Sequence, residues 1–219
     1  MVTKYAFYSK VGYIPDMAKQ NQDSFIVHPK IMGSYSHHLF GVADGHGQYG
    51  KEAAAIIKQC YPTLFEENLK LQSIVEAFET TSAQVNGLIE KEIEDIEFSG
   101  STCVVVYIND QELYTANIGD SRAIIGTYEA GKSNLKCKVG VVIEGRDVTR
   151  DHKPDEADEA ARILSNGGRI ESFKGLEGED IGPLRVWQKD LDIPGLAMTR
   201  ALGDGAGKLA GVISIPGNI

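Results

Sequence analysis

Two short segments carry carboxylates where they can do metal chemistry. Gln20-Asn21-Gln22-Asp23 leads into an apolar stretch, and about twenty residues on stands Val42-Ala43-Asp44-Gly45-His46-Gly47. An Asp at a strand end beside two glycines projects its carboxylate from a rigid support. The glycines let backbone carbonyls reach the same point, and hard divalent cations such as Mg²⁺ or Mn²⁺ take that all-oxygen environment. His46 is suitably placed beside them to donate a proton. Taken alone, Asp44–Gly47 reads first as a tight turn.

Further segments have milder readings of their own. Phe98-Ser99-Gly100-Ser101-Thr102 is a strand start whose hydroxyls can bond backbone. In Ala116-Asn117-Ile118-Gly119-Asp120-Ser121-Arg122, Gly-Asp fits a hairpin turn, with Asp120 and Arg122 as a surface ion pair. Thr149-Arg150-Asp151-His152-Lys153-Pro154 is a loop before a helix, and Ala197-Met198-Thr199-Arg200-Ala201-Leu202-Gly203-Asp204 completes the set. The pair His37-His38 reads as a polar turn, since no Cys or His stands at ligand spacing. The acids from Asp151 to Glu159 lack calcium-loop spacing and read as a solvated helix start. Gly207-Lys208 lacks the rest of a phosphate-binding loop.

The elements that must position these residues show in the periodicity. Ser24–His28 and Leu39–Ala43 read as strands. Ala53, Ile56, Ile57, Cys60 and Leu64 recur at helical spacing, with Pro62 marking a kink or break. Ile74, Phe78, Thr81, Val85, Leu88 or Ile89, and Ile93 form the apolar face of a second helix. Thr102–Ile108 and Glu112–Ile118 predict a hairpin, and Arg122–Tyr128 with Lys136–Ile143 a further strand pair. A third helix is expected from Pro154 to about Asn166, ended by Gly167 and Gly168. The stretch 169–196, rich in Gly and Pro, reads as an irregular surface flap in which Val186, Trp187 and Leu191 must pack. Strands, two helices, more strands and a helix make an α+β pattern with antiparallel pairing, as one domain.

Composition narrows the function classes. The chain has 219 residues, 42% hydrophobic and 24% charged, which is ordinary globular usage. With 31 acidic against 22 basic residues the net charge is -9, which argues against nucleic acid or a membrane surface as partner. The longest apolar run, Cys103–Ile108, is too short to span a bilayer, and the first residues carry no apolar leader. Three cysteines without CxxC spacing suggest reduced thiols and an intracellular, cytoplasmic or nuclear location.

Taken in order, the segments from Asn21 to Asp204 resemble the metal-dependent protein phosphatase 2C family. The resemblance implies a β-sandwich flanked by helices, in α-β-β-α layers, with a binuclear Mg²⁺ or Mn²⁺ centre at one end. It implies hydrolysis of phosphoserine and phosphothreonine in protein substrates, by water activated between two metals and without a phosphoenzyme. Carried onto matching positions, Asp44 would bridge both metals and the Gly45 carbonyl would bind one of them. Asp23 would act through the metal's water shell, and His46 would protonate the leaving seryl oxygen. Asp120 would lie near the centre and assist a third, weaker metal, while 169–196 would be the family's flap, which influences substrate choice. Metals would make the pocket locally positive despite the acidic chain.

Three departures stand out. Gln22 replaces the Glu found in many members. No Arg matches the family's phosphate contact, and Lys19, the nearest candidate, is a point charge without the guanidinium fork. The two late aspartates of the family's DG and DN motifs have no counterpart before Ile219. The expectation is therefore a single phosphatase domain over 1–219, roughly its N-terminal two-thirds, with the last sandwich strands missing and the metal site half built. It is expected to be a monomer. The alternatives are a catalytically inactive phosphatase-like protein that binds phosphoproteins or regulates a partner, and an inactive fragment.

Overall fold

The computed structural model describes residues 2–15, 17–127 and 144–218. A small hairpin, β1 (Tyr13–Ile14) and β2 (Met17–Ala18), precedes the main sheet. Strands β3 (Asp23–Pro29) and β4 (His37–His46) pair antiparallel, joined through a 3-10 turn at Ile31–Gly33. Helices α1 (Gly50–Leu69) and α2 (Ile74–Glu92) follow. The chain then returns as β5 (Gly100–Ser101), β6 (Cys103–Asn109) and β7 (Glu112–Ile118). Both β5 and β6 run along β4, with Thr102 between them. Strands β8 (Ile124–Thr127) and β9 (Glu144–Asp147) form a separate antiparallel pair. Helix α3 (Ala157–Ser165) leads into β10 (Gly168–Lys174), β11 (Asp180–Gln188) and β12 (Pro194–Leu196). Finally β13 (Leu202–Gly203) pairs with β5, a helical turn α4 spans Gly205–Lys208, and β14 (Gly217–Asn218) pairs with β7.

Alternation along the strands decides which face meets the helices. Ile26, Leu39, Ala43, Val105, Tyr107, Ala116 and Ile118 are buried against Ala53, Ile57, Phe65, Phe78, Val85 and Ile89 of α1 and α2. Phe65 is the hub, stacked on Phe78 at 4.6 Å and edge-on to Tyr107 at 5.3 Å between ring centroids. Burying each such ring contributes about 2–3 kcal/mol. Helix α2 starts on a capping box in which Ser73 and Glu76 exchange hydrogen bonds, fixing where the helix begins. On the opposite face Phe25, Phe40, Val42, Val104 and Val106 line a groove with Tyr5, Phe7 and β8. The architecture is the expected α+β one.

Several local expectations are corrected. Helix α1 runs unbroken through Pro62, whose neighbours Tyr61 and Phe65 are buried and anchor it on both sides at the cost of one hydrogen bond. His37 and His38 are the first residues of β4 rather than a turn, and His38 is buried. Strand β8 pairs with Glu144–Asp147, and the expected partner Lys136–Ile143, like Tyr128, lies outside the described residues. The stretch 169–196 is an ordered three-stranded antiparallel sheet, β10-β11-β12. Its second, smaller core joins Val186 and Leu196 to Ile163, Ala201, Ala210 and Val212. Trp187 is buried as expected and donates its indole N–H to the Glu171 carbonyl at 2.9 Å, whereas Leu191 is exposed.

Candidate active site

Asp23 and Asp44 stand directly opposite each other, the first residue of β3 against the eighth of β4. Directly paired residues share a face, so both carboxylates emerge together. The hydrophobic alternation fixes this register, since a slip of one residue would turn Ile26 and Leu39 out of the core. Asp44–His46 are therefore strand and not turn; the chain turns only at Gly47, where φ is +79°. The Asp44 N–H donates to Thr102 Oγ1 and the Asp44 carbonyl accepts from the Thr102 N–H, both at 3.0 Å. Gly45 is required by close approach: a Cβ there would lie 2.1 Å from the Gly50 carbonyl oxygen at the start of α1. Gln22 accepts the Gly45 N–H at 3.3 Å through its carbonyl and donates Nε2 to the Gly47 carbonyl at 2.7 Å. An ionised Glu at this position has no proton for that second bond, so the amide has its own role here.

The Asp44 carboxyl is pushed up from its ordinary value of 3.8. Partial loss of hydration is the largest cause, followed by the negative fields of Asp23 and Asp120 and a hydrogen bond with Asp23; His46 pulls the other way. Crowded like charges of this kind are what a bound cation relieves.

His46 is clamped by a residue that the sequence reading left without a role. Its Nε2 lies 2.9 and 2.8 Å from the two carboxylate oxygens of Asp204, which is fully buried and holds a left-handed backbone, φ 52° and ψ 58°. The Asp204 N–H donates to the Ser99 carbonyl at 2.8 Å. Register pairing sets His46 against Gly100, and a Cβ on Gly100 would stand 2.2 Å from Asp204 Oδ2. The glycine of Phe98–Thr102 thus makes room for the carboxylate. Burial opposes protonation of His46, yet the hydrogen bond and charge of Asp204, with the fields of Asp44 and Asp120, raise its pKa above 6.5. Its Nδ1 is buried and has no partner among the described residues. Sequence spacing gave no signal for this pair, which is 158 residues apart.

Asp120 sits in the turn after β7, close enough for its field to act on Asp44 and His46. It is not paired with Arg122. That guanidinium forks onto Asp151, Nε to Oδ1 at 2.9 Å and Nη2 to Oδ2 at 2.8 Å, and also reaches Asp147 at 3.1 Å. Nor are the acids from Asp151 into the first turn of α3 uniformly solvated. Glu159 is fully buried and binds Arg162 Nη2 at 2.6 Å, Arg200 Nη2 at 2.6 Å and Thr199 Oγ1 at 2.5 Å. Burial alone would raise its pKa, but these bonds outweigh it and hold the carboxyl well below the usual range. Lys19 is exposed beside β2, where its backbone N–H bonds the Gly12 carbonyl at 2.8 Å, and has no ion pair among the described residues.

A family model described as "Protein phosphatase 2C" matches residues 10–216. The chain belongs to the protein phosphatase 2C family. Among curated relatives, it is 31% identical to probable protein phosphatase 2C 35 of Arabidopsis thaliana, over 97% of this chain and 63% of that protein. It is 36% identical to probable protein phosphatase 2C 64 of Oryza sativa subsp. japonica, over 90% and 45% respectively. The chain thus spans about half to two-thirds of the length of these relatives. A solved serine-threonine phosphatase 2C from Toxoplasma gondii superimposes with a TM-score of 0.71, at 19% identity over 92% of this chain and 69% of that one. A C. elegans sex determining protein gives 0.70, at 24% identity over 92% and 45%. Both show a shared fold.

Protein phosphatase 2C enzymes are metal-dependent, generally using Mg²⁺ or Mn²⁺. In this member, Asp44, Asp23 and the backbone at Gly45 carry oxygens that could hold such an ion, and the crowding at Asp44 favours a cation. They make one side of a site. Among the described residues, no three His, Cys, Asp or Glu side chains gather closely enough to enclose an ion.

Proposed function

We propose that this chain carries the phosphoprotein phosphatase activity of its family, hydrolysing phosphoserine and phosphothreonine esters at the end of the sheet where Asp23, Asp44 and His46 meet. The observation that carries the reading is the direct pairing of Asp23 with Asp44, whose carboxyl lies within the fields of Asp23, Asp120 and His46. Asp44 and Asp23, with the Gly45 carbonyl, would hold Mg²⁺ or Mn²⁺, in a binuclear centre if the site is completed. When bound, such ions neutralise charge on the phosphoryl oxygens and make water more acidic. The chain's own part is positioning: Thr102 and Gln22 fix the backbone of Asp44 and Gly45, so the carboxylates are held before any ion arrives. His46, whose protonated form the Asp204 carboxylate favours, is the proton donor to the leaving seryl oxygen. Lys19 is the candidate to attract the substrate phosphate as a point charge, and an intracellular setting fits Cys60 and Cys103, both free thiols.

The test is Mn²⁺-dependent phosphate release from phosphoserine and phosphothreonine peptides. It uses the chain alone and the chain extended by the C-terminal part of the Arabidopsis relative, each with an Asp44→Ala control. Turnover in either form that vanishes in the control supports the proposal. Silence in both, with Mn²⁺ still bound, overturns it and leaves a phosphatase-like binding protein.

A further inference from the structure

The turn that carries Asp120 is held at both ends, while Asp120 itself is left open. Ahead of it, Gly119 exchanges two hydrogen bonds with His152: the Gly119 N–H donates to Nδ1 at 3.3 Å, and the Gly119 carbonyl accepts the His152 N–H at 3.0 Å. The Asn117 side-chain amide ties the Gly119 carbonyl, at 3.1 Å, to the Arg150 carbonyl, at 2.8 Å. Beyond Asp120, the fork of Arg122 on Asp151 closes the other end, and the Ala123 N–H donates to Thr149 Oγ1 at 2.9 Å. One loop, 149–154, therefore lines the whole turn.

The turn is also joined to the carboxylate end of the sheet. Ser121 Oγ lies 2.7 Å from Thr102 Oγ1, the hydroxyl that accepts the Asp44 N–H. Asp120 has no hydrogen bond or ion pair of its own among the described residues, although its neighbours Gly119, Ser121, Arg122 and Ala123 are all bonded. His152 is 2% exposed and pinned from behind, where its carbonyl accepts the Thr199 N–H at 2.9 Å. Thr199 in turn donates to the buried Glu159. A buried ring bonded to Gly119, on a backbone held at both its N–H and its carbonyl, is a rigid support, and a free carboxylate between two clamps is poised for a ligand.

We propose that His152 is a positioning residue for Asp120, holding the Gly119–Asp120 turn so that the Asp120 carboxylate is offered to a divalent cation at the Asp23–Asp44 end. This rests on the reading of that end as the metal-binding site. A purely structural role would affect stability alone, whereas positioning affects the response of Asp120 to metal.

The experiment follows the side-chain carboxyl carbons of Asp23, Asp44 and Asp120 by ¹³C NMR during Mg²⁺ titration of the 219-residue chain, with the melting temperature measured alongside. In the wild type, all three signals should move. In His152→Leu the Asp44 signal should still move, while the Mg²⁺ concentration that half-saturates Asp120 should rise about tenfold or more, as for groups that orient metal ligands. His152→Asn, whose Oδ1 can take the Gly119 N–H in place of Nδ1, should restore the Asp120 response. If His152→Leu does not fold, Asp151→Asn, which loosens the Arg122 clamp, should shift Asp120 in the same direction. A folded His152→Leu, or in its place a folded Asp151→Asn, whose Asp120 response matches the wild type overturns the proposal. So does a wild type in which Asp44 moves and Asp120 does not. Movement of neither overturns the metal-site reading itself, and the proposal with it.

Discussion

Acid should weaken this fold through one histidine. His152 is buried beside Gly119, and its pKa is lowered from 6.5 to about 4; desolvation is the main cause, and the positive fields of Arg200 and Arg150 add to it. The unfolded chain therefore binds this proton more readily than the folded one. The sign follows: the stability is complete above pH 6.5, falls as the pH drops towards about 4, and loses nothing more to this group below that. At 1.36 kcal/mol per pKa unit the full loss is about 3 kcal/mol, and about 2 kcal/mol of it is gone by pH 5. Against a domain stability of about 5–15 kcal/mol this is a large fraction. Urea unfolding of the wild type and His152→Asn between pH 7.5 and 4.5 isolates the effect, because Glu159, with its depressed pKa, gives up its contribution only below its ordinary value of 4.5. The wild type should lose about 2 kcal/mol more than the variant on going to pH 5. Equal pH dependence in the two proteins would refute the assignment of a buried, neutral His152.

Other outcomes follow from the same geometry. Glu159→Gln should cost about 3–5 kcal/mol in chemical denaturation, because it strands the guanidiniums of Arg162 and Arg200 around a neutral amide. Gly100→Ala should cost about 1–3 kcal/mol, since the added methyl meets the buried Asp204 carboxylate, which has nowhere to retreat. His46 runs opposite to His152: its stabilising contact with Asp204 is complete below pH 6.5 and is lost as the pH rises through its raised pKa, so Asp204→Asn should flatten that alkaline limb of the stability profile. Mn²⁺ calorimetry should show a larger loss of binding for Asp44→Asn than for Asp23→Asn, and equal losses would count against Asp44 as the direct ligand.

The sequence alone determined much of this protein. Alternating apolar residues and helical spacing marked β3, β4, the β6–β7 hairpin, α1 and α2, because each of these elements buries one face and local periodicity records it. The ordered segments from Asn21 to Asp204 were enough to indicate the family, and Asp23 and Asp44 stood out as candidate metal-binding carboxylates before any register was known. Tertiary structure decided the rest. That Asp44–His46 extend a strand depends on pairing with Asp23 and Gly100, partners about twenty and more than fifty residues away. The flap looked irregular because its short strands are broken by Gly and Pro, and only pairing between β10 and β11 orders them. Glu159 looked like a solvated acid because nothing local foretells that Thr199 and Arg200 return to bury it. The His46–Asp204 clamp and the His152–Gly119 latch join residues 158 and 33 positions apart. Periodicity reports what one element buries; which polar groups meet is set by how the elements pack, and that is where this site is made.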